Sequence, residues 1–392
     1  MSTDRTTDTT THPRPDDLDL LHSDVEEELR TQLRGLLRDR CGADGLLARV
    51  ETDEVHDTAL WQALTQELGI AGLSVPEELG GAGATWRETA LVLEELGRAV
   101  APVPYLGSSV LATAALLAAG DTRIVKDVAA GHRVAALAVP FVTAPDGELP
   151  GSVRAGDGTV RGMVRGVADA LAADVLLVPA AGPDGVRRLQ AVDVAAAGRS
   201  LRRNPVTSLD LTRPLADIHL WDAPCATVAV GPAAERAVRQ ALVAGAALLA
   251  SEQLGVADWC LSTTVAYVKE RHQFARPIGS FQAVKHRLAD MWVLVTQARA
   301  VARNAAVALA AGSATAPTEA ALAQAFLSEA VVQVAEEALQ LHGGIGFTWE
   351  HPMHLYLKRA KSTALALGTA DRHRVGLAGL VDLPPAAGWP TA

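Results

Sequence analysis

"GPAAERAVRQALVAGAALLASEQLGVADWCLSTTVAYVKERHQF", residues 231–274, reads as helix for over 40 residues. Ala and Gly recur through it at positions where helices approach closely, and no Pro interrupts it after Pro232. Two more long helical patterns follow, "FQAVKHRLADMWVLVTQARAVARNAAVALAA" (281–311) and "TEAALAQAFLSEAVVQVAEEALQLHGG" (318–344), parted by the loop "AGSATAP". Long helices on short loops imply a four-helix-like bundle over residues 231–382.

Working back toward the N-terminus, the texture changes twice. Between 131 and 230, "RVAALAVPFV", "GTVRGMVRGV", "ADVLLVPAA", "LQAVDV" and "ADIHLW" are short β-rich runs divided by Gly, Pro and Asp. Their spacing leaves no room for crossover helices, so the expectation is a small antiparallel β domain. From 22 to 130 the period is helical again. Leu29, Leu33, Leu36 and Leu37 make one stripe, Ser23 and Glu26 form a capping-box signature, and "WRETALVLEELGRAVAP" stops before Pro102. Residues 1–21 are polar and read as a disordered tail, as do 383–392. The fold class is therefore α+β and multidomain.

Composition narrows the possible partners. The chain has 392 residues, 49% of them hydrophobic, and a net charge of −10. That balance disfavours nucleic acid and anionic membrane as main partners. No run suggests a membrane span or a signal peptide. Cys41, Cys225 and Cys260 lie far apart and odd in number, which implies reduced thiols in a cytoplasmic protein. His342, His351 and His354 flank turns and suggest interface or solvent roles, with no metal site. Asp210, Thr212 and Arg213 in "LDLTRPLADIHL" fit a strand-turn role in folding. Periodicity alone describes an α–β–α protein and goes no further.

Three stretches carry more information. "ELGIAGLSVPEELGGAGATWRETALVLEELGRAVAPVPYLGS" (67–108), "VKERHQFARPIGSFQAVKHRLADM" (268–291) and "ALQLHGGIGFTWEHPMHLYLKRAKS" (338–362) resemble the acyl-CoA dehydrogenase family, in order and at matching separations. The resemblance implies FAD, a dimer or tetramer, an acyl-CoA or acyl-carrier-protein thioester, and an electron-transfer flavoprotein as redox partner. It also implies a carboxylate base that removes the α-proton of the thioester, with donors on the thioester carbonyl.

By that resemblance the base should precede a Gly-Thr pair near the C-terminus. Here Leu367 precedes Gly368 and Thr369. Its backbone N–H keeps the capacity to bind a thioester carbonyl; its side chain cannot take a proton. The alternative position, on the first long C-terminal helix, is Val238. Glu235, Glu252 and Asp371 are nearby carboxylates that read as surface or helix-terminus groups; Asp371 is the least unlikely substitute. Arg239 reads equally as a contact to a CoA phosphate or as a solvated arginine.

The family's FAD site has two halves. The half lent to a neighbouring subunit implies Arg271, Phe274, Gln282, Gln340, Gly343 and Gly344, with Thr369 beside the cofactor. The half that holds the flavin ring is eroded: "AVPFVTAPDG" lacks the family's Thr-Glu-Pro run, Thr143 is the only nearby hydroxyl, and "MVRGVADA" has neither Trp nor hydroxyl. Three readings follow. The first is a subunit of a heteromeric α,β-desaturating dehydrogenase that completes a partner's FAD site. The second is a self-sufficient enzyme with a relocated base, and the third a flavin-dependent monooxygenase or non-redox protein on the same scaffold.

Overall fold

The protein is described here by a computed structural model covering residues 19–52, 54 and 56–383. The expected tails lie outside these residues apart from 19–21 and 383.

Six helices form the N-terminal unit: α1 (Asp24–Arg40), α2 (Ala43–Arg49), α3 (Thr58–Gln66), α4 (Trp86–Arg98), α5 (Thr113–Ala119) and α6 (Ile124–Ala129). The capping box at Ser23 and Glu26 is made in both directions. Before α5 the chain winds through wide π-type turns, Leu106–Ala112, every residue of which is buried.

The middle unit holds β1 (Ala135–Leu137), β2 (Val153–Ala155), β3 (Thr159–Ala168), β4 (Val175–Ala181), β5 (Arg187–Asp193), the short α7 (Val194–Ala197), β6 (Leu201–Val206), β7 (Leu215–Pro224) and β8 (Ala226–Val230). The order is β6-β7-β3-β2-β4-β5-β8, with β1 also on β4. The sheet is mixed, which corrects the antiparallel expectation: β1 and β2 both pair with β4 in parallel. The long β1–β4 connection is made of other strands, so parallel pairing needs no helix here. Three strands had weak sequence signals. β6 is an edge strand with two arginines and Pro205, β8 is a short edge, and β2 has three residues.

The C-terminal unit comprises α8 (Pro232–Glu270), a two-stranded hairpin of β9 (His272–Gln273) and β10 (Arg276–Pro277), α9 (Gln282–Ala310), α10 (Ala316–His342), α11 (Met353–Thr363) and α12 (Ala370–Leu380). At 39 residues α8 is about 58 Å long. It is long and apolar enough to cross a membrane, contrary to the sequence expectation, yet its most apolar 18-residue window is 89% buried inside the protein. Gly residues allow this crowding. A Cβ on Gly255 of α8 would overlap the carbonyl of Glu94 on α4, and one on Gly97 of α4 would overlap that of Glu252.

A buried four-charge cluster joins the middle and C-terminal units. Arg359 of α11, 1% exposed, donates to Asp210 at 2.6 Å, to Glu252 of α8 at 3.0 Å and to Thr212 Oγ1 at 2.7 Å. Arg213 donates to the other oxygen of Glu252 at 2.5 Å. Asp210, Thr212 and Arg213 thus have the folding role expected of them. Glu252 is no surface carboxylate, which corrects the sequence reading: both its oxygens are held by guanidinium groups in the interior.

Candidate functional site

The segment between α11 and α12 positions Leu367. Leu367 has φ 54° and Gly368 φ 107°, so the backbone turns sharply inward. A Cβ on Gly368 would lie 2.9 Å from Ala144 Cβ and 3.0 Å from His373 Nε2, so the Gly is required. Thr369 caps α12 by accepting from Arg372 N–H at 3.3 Å. Its hydroxyl thereby has a structural partner.

Leu367 is fully buried. Its side chain occupies the space above Gly245 of α8, together with Leu111: a Cβ on Gly245 would overlap Leu111 and lie 3.0 Å from Leu367 Cδ1. Val238 is also buried. The Leu367 N–H donates to the Phe141 carbonyl at 2.7 Å. This corrects the expectation that the N–H stays available for a thioester carbonyl. The Leu367 carbonyl accepts from His373 Nε2 at 2.9 Å, and burial holds the pKa of that imidazole low.

The loop after Phe141 is fastened over this centre. Arg239 donates to the carbonyls of Pro145 and Gly147, each at 2.8 Å, and lies 3.4 Å from Glu235. Arg372 donates to Asp146 at 2.8 Å. Arg239 is therefore engaged by protein carbonyls and is not a freely solvated arginine. Glu235 is exposed. Asp371 is 90% exposed and paired with Arg374 at 2.8 Å. Among the described residues, the groups shown in contact with Leu367 are Gly245, Leu111, Phe141 and His373, and none is a carboxylate.

The residues expected to serve a neighbouring flavin do come together. Tyr267 stacks on His342 with ring centroids 4.5 Å apart and donates to the His342 carbonyl at 3.3 Å. That contact sets the end of α8 beside the end of α10. The hairpin packs on Phe281, with Phe274 edge-on at 6.1 Å and Arg276 over the ring at 3.9 Å, which places Gln282 next to it. Arg271, Phe274, Gln282, Gln340, Gly343 and Gly344 are all exposed. Among the described residues Arg271 has no ion-pair partner. Exposed guanidinium, aromatic, amide and glycine backbone suit an adenine dinucleotide approaching from outside. Tyr267 was not singled out in the sequence; its spacing of four from Arg271 was the available signal.

The ring-holding half does not fit a flavin. A flavin's pyrimidine edge needs free donors and acceptors, and here the Phe141 N–H is bound to the Gly166 carbonyl (2.9 Å) and the Ala138 N–H to that of Leu177 (2.8 Å). The Gly166 N–H donates to Asp217 at 2.9 Å. What remains is an apolar cavity of about 1020 Å³ between Pro140–Val142, Arg165–Gly166, Val206–Leu209, α10 and Lys361–Ala366.

His342 and His351 each have one backbone partner, and both ring nitrogens of His354 are buried without one among the described residues. His342 donates through Nδ1 to Ala338 at 2.7 Å, and among the described residues no group of three His, Cys, Asp or Glu is placed to hold a metal. All three cysteines are free thiols.

Comparison with known proteins agrees with this architecture. The acyl-CoA dehydrogenase N-terminal domain matches residues 23–128 and the acyl-CoA dehydrogenase C-terminal domain residues 235–378. Acyl-CoA dehydrogenase IpdE2 of Mycolicibacterium smegmatis is 38% identical over 353 residues, 88% of this chain and 95% of that protein. The ChsE4-ChsE5 complex from Mycobacterium tuberculosis contains a chain with TM-score 0.83 and 29% identity, over 94% of this chain and 100% of that one. Butyryl-CoA dehydrogenase from Megasphaera elsdenii, 21% identical with TM-score 0.82 over 93% of this chain and 100% of that one, shares the fold. This chain belongs to the acyl-CoA dehydrogenase family.

Proposed function

We propose that the chain is a subunit of a heteromeric, FAD-dependent α,β-desaturating acyl thioester dehydrogenase and completes the flavin site of a catalytic partner. The observation that carries this reading is Leu367: it stands where the base belongs, fills the space over Gly245, and has its N–H bonded to Phe141. A chain built this way neither takes the α-proton nor polarises the thioester. The likeness to a chain of the ChsE4-ChsE5 complex supports an assembly of two different subunits.

FAD, bound in the partner, would supply the hydride acceptor. This chain's part is to hold its ADP end: Arg271 on the pyrophosphate, Phe274 against an apolar portion, and the backbone of Gly343 and Gly344 in close approach. The partner's carboxylate takes the proton, and an electron-transfer flavoprotein takes the electrons.

The test is a visible absorption spectrum of the chain purified alone with FAD supplied, and again after co-expression with a dehydrogenase encoded beside it. The expected result is a colourless chain alone and a flavin-bearing complex, with flavin reduced when Arg271→Ala is introduced into this subunit. A full flavin complement on the isolated chain overturns the reading.

A further inference from the structure

The cavity between α10 and the Phe141 segment has no assigned occupant once the flavin ring is excluded from it. Its volume of about 1020 Å³ is at the upper end of small-molecule pockets. One wall is the helix α10, with Ser328, Val332 and Gln333; the opposite wall is the sheet side, with Phe141, Gly166 and Leu215. The rim leaves large apolar side chains in water: Val142 is 62% exposed, Leu209 60% and Leu365 55%. A contiguous apolar rim of this kind marks a binding site more often than bare surface.

Charge around the cavity is asymmetric. Glu336 is paired with Lys361 at 2.6 Å and Glu329 with Arg374 at 2.5 Å, so both carboxylates are neutralised. Arg165 remains. It is exposed at the cavity wall and, among the described residues, makes no hydrogen bond or ion pair. An apolar cavity with one unpaired guanidinium at its wall fits a ligand with a bulky apolar body and one anionic group, which the planar fork of Arg165 would receive.

We propose that this cavity binds a small amphipathic acid, with its carboxylate on Arg165 and its apolar body between α10 and the Phe141 segment. The proposal rests on the reading that this chain's own β domain does not hold a flavin ring. It assigns a ligand site to the subunit that lacks the base.

The probe is 1-pyrenebutyrate, with neutral 1-pyrenebutanol as its uncharged counterpart, titrated by fluorescence into the full chain, both alone and in complex with its partner subunit. The expected result is saturable binding at one site per chain, with the acid bound about tenfold more tightly than the alcohol. Arg165→Ala should erase that difference, and Val332→Trp should block both probes; Leu209→Trp at the rim is a second block that leaves the helix untouched. Binding indifferent to these substitutions, or no saturable binding by a flavin-free chain, overturns the ligand site and leaves the proposed function standing. Displacement of the probe by FAD with appearance of a flavin spectrum overturns both. Binding that disappears in the complex identifies the face as a subunit interface and overturns the ligand site.

Discussion

Leu367 shows how one side chain changes the use of an inward-facing backbone turn. Its positive φ and the Gly368 beside it present an N–H and a side chain inward, as a base would be presented, but the group is aliphatic and the N–H already has an acceptor. Putting a carboxylate back should therefore harm the fold without creating an enzyme. Leu367→Glu is expected to lower stability by about 3 kcal/mol at pH 7, since the buried carboxylate would have no cationic partner. Burial raises such a group's pKa, so the loss should shrink as pH falls and the side chain becomes neutral. Urea denaturation at pH 7 and pH 5 measures both, and no thioester turnover should appear.

Glu26 makes the opposite case. Burial would raise its pKa, but hydrogen bonds from Arg87 and Ser23 outweigh that and hold it at about 2. With the folded pKa below the ordinary 4.5, its contribution is complete above about pH 4.5 and fades as pH falls through 2. Glu26→Gln is thus expected to cost about 3 kcal/mol at neutral pH and about half of that near pH 3. Denaturant midpoints at the two pH values check the sign.

Among the elements, the hairpin after α8 is the most informative. Its two turn residues, Phe274 and Ala275, both have positive φ, 52° and 61°, and neither is glycine. A two-residue turn of this hand matches strand twist but strains side chains. Phe at the first position leaves an aromatic ring 86% exposed, which a folding role alone would not require. Ala275→Gly should relieve strain at the second position and raise stability by about 0.5 kcal/mol, the gain being reduced by glycine's greater freedom when unfolded. Differential scanning calorimetry reads that change, and partner flavin binding should persist. Helix packing was partly legible in advance: small residues in α8 announce close approach, and Gly97 and Gly255 lie where α4 and α8 nearly touch backbones. Edge strands were not, because β6 and β8 lack alternation; an edge strand needs only one partner and tolerates Arg and Pro.

On the scale of the whole molecule, the Arg359 cluster couples the packing of the middle and C-terminal regions. Burial alone would depress the Arg359 pKa, but Asp210 and Glu252 more than offset this and keep the guanidinium charged. Removing one member leaves uncompensated charge in the interior. Arg359→Ala is expected to cost about 3–5 kcal/mol. Combining it with Asp210→Asn should recover part of that loss, and a double-mutant cycle measures the coupling.

The three-part architecture, the family and a leucine before Gly368 could be read along the chain. Helical period, strand-sized apolar runs and the residue before Gly368 are local properties, readable without neighbours. Only the tertiary structure decided that Glu252 is interior, that the Leu367 N–H is occupied, and that Arg239 clamps a loop while Asp371 faces solvent. The first three of these depend on a partner far away in the chain: Arg359 for Glu252, Phe141 for Leu367, Pro145 and Gly147 for Arg239. Hydrogen bonds and burial are made between such distant segments, and period and composition along one segment carry no record of which group will face it.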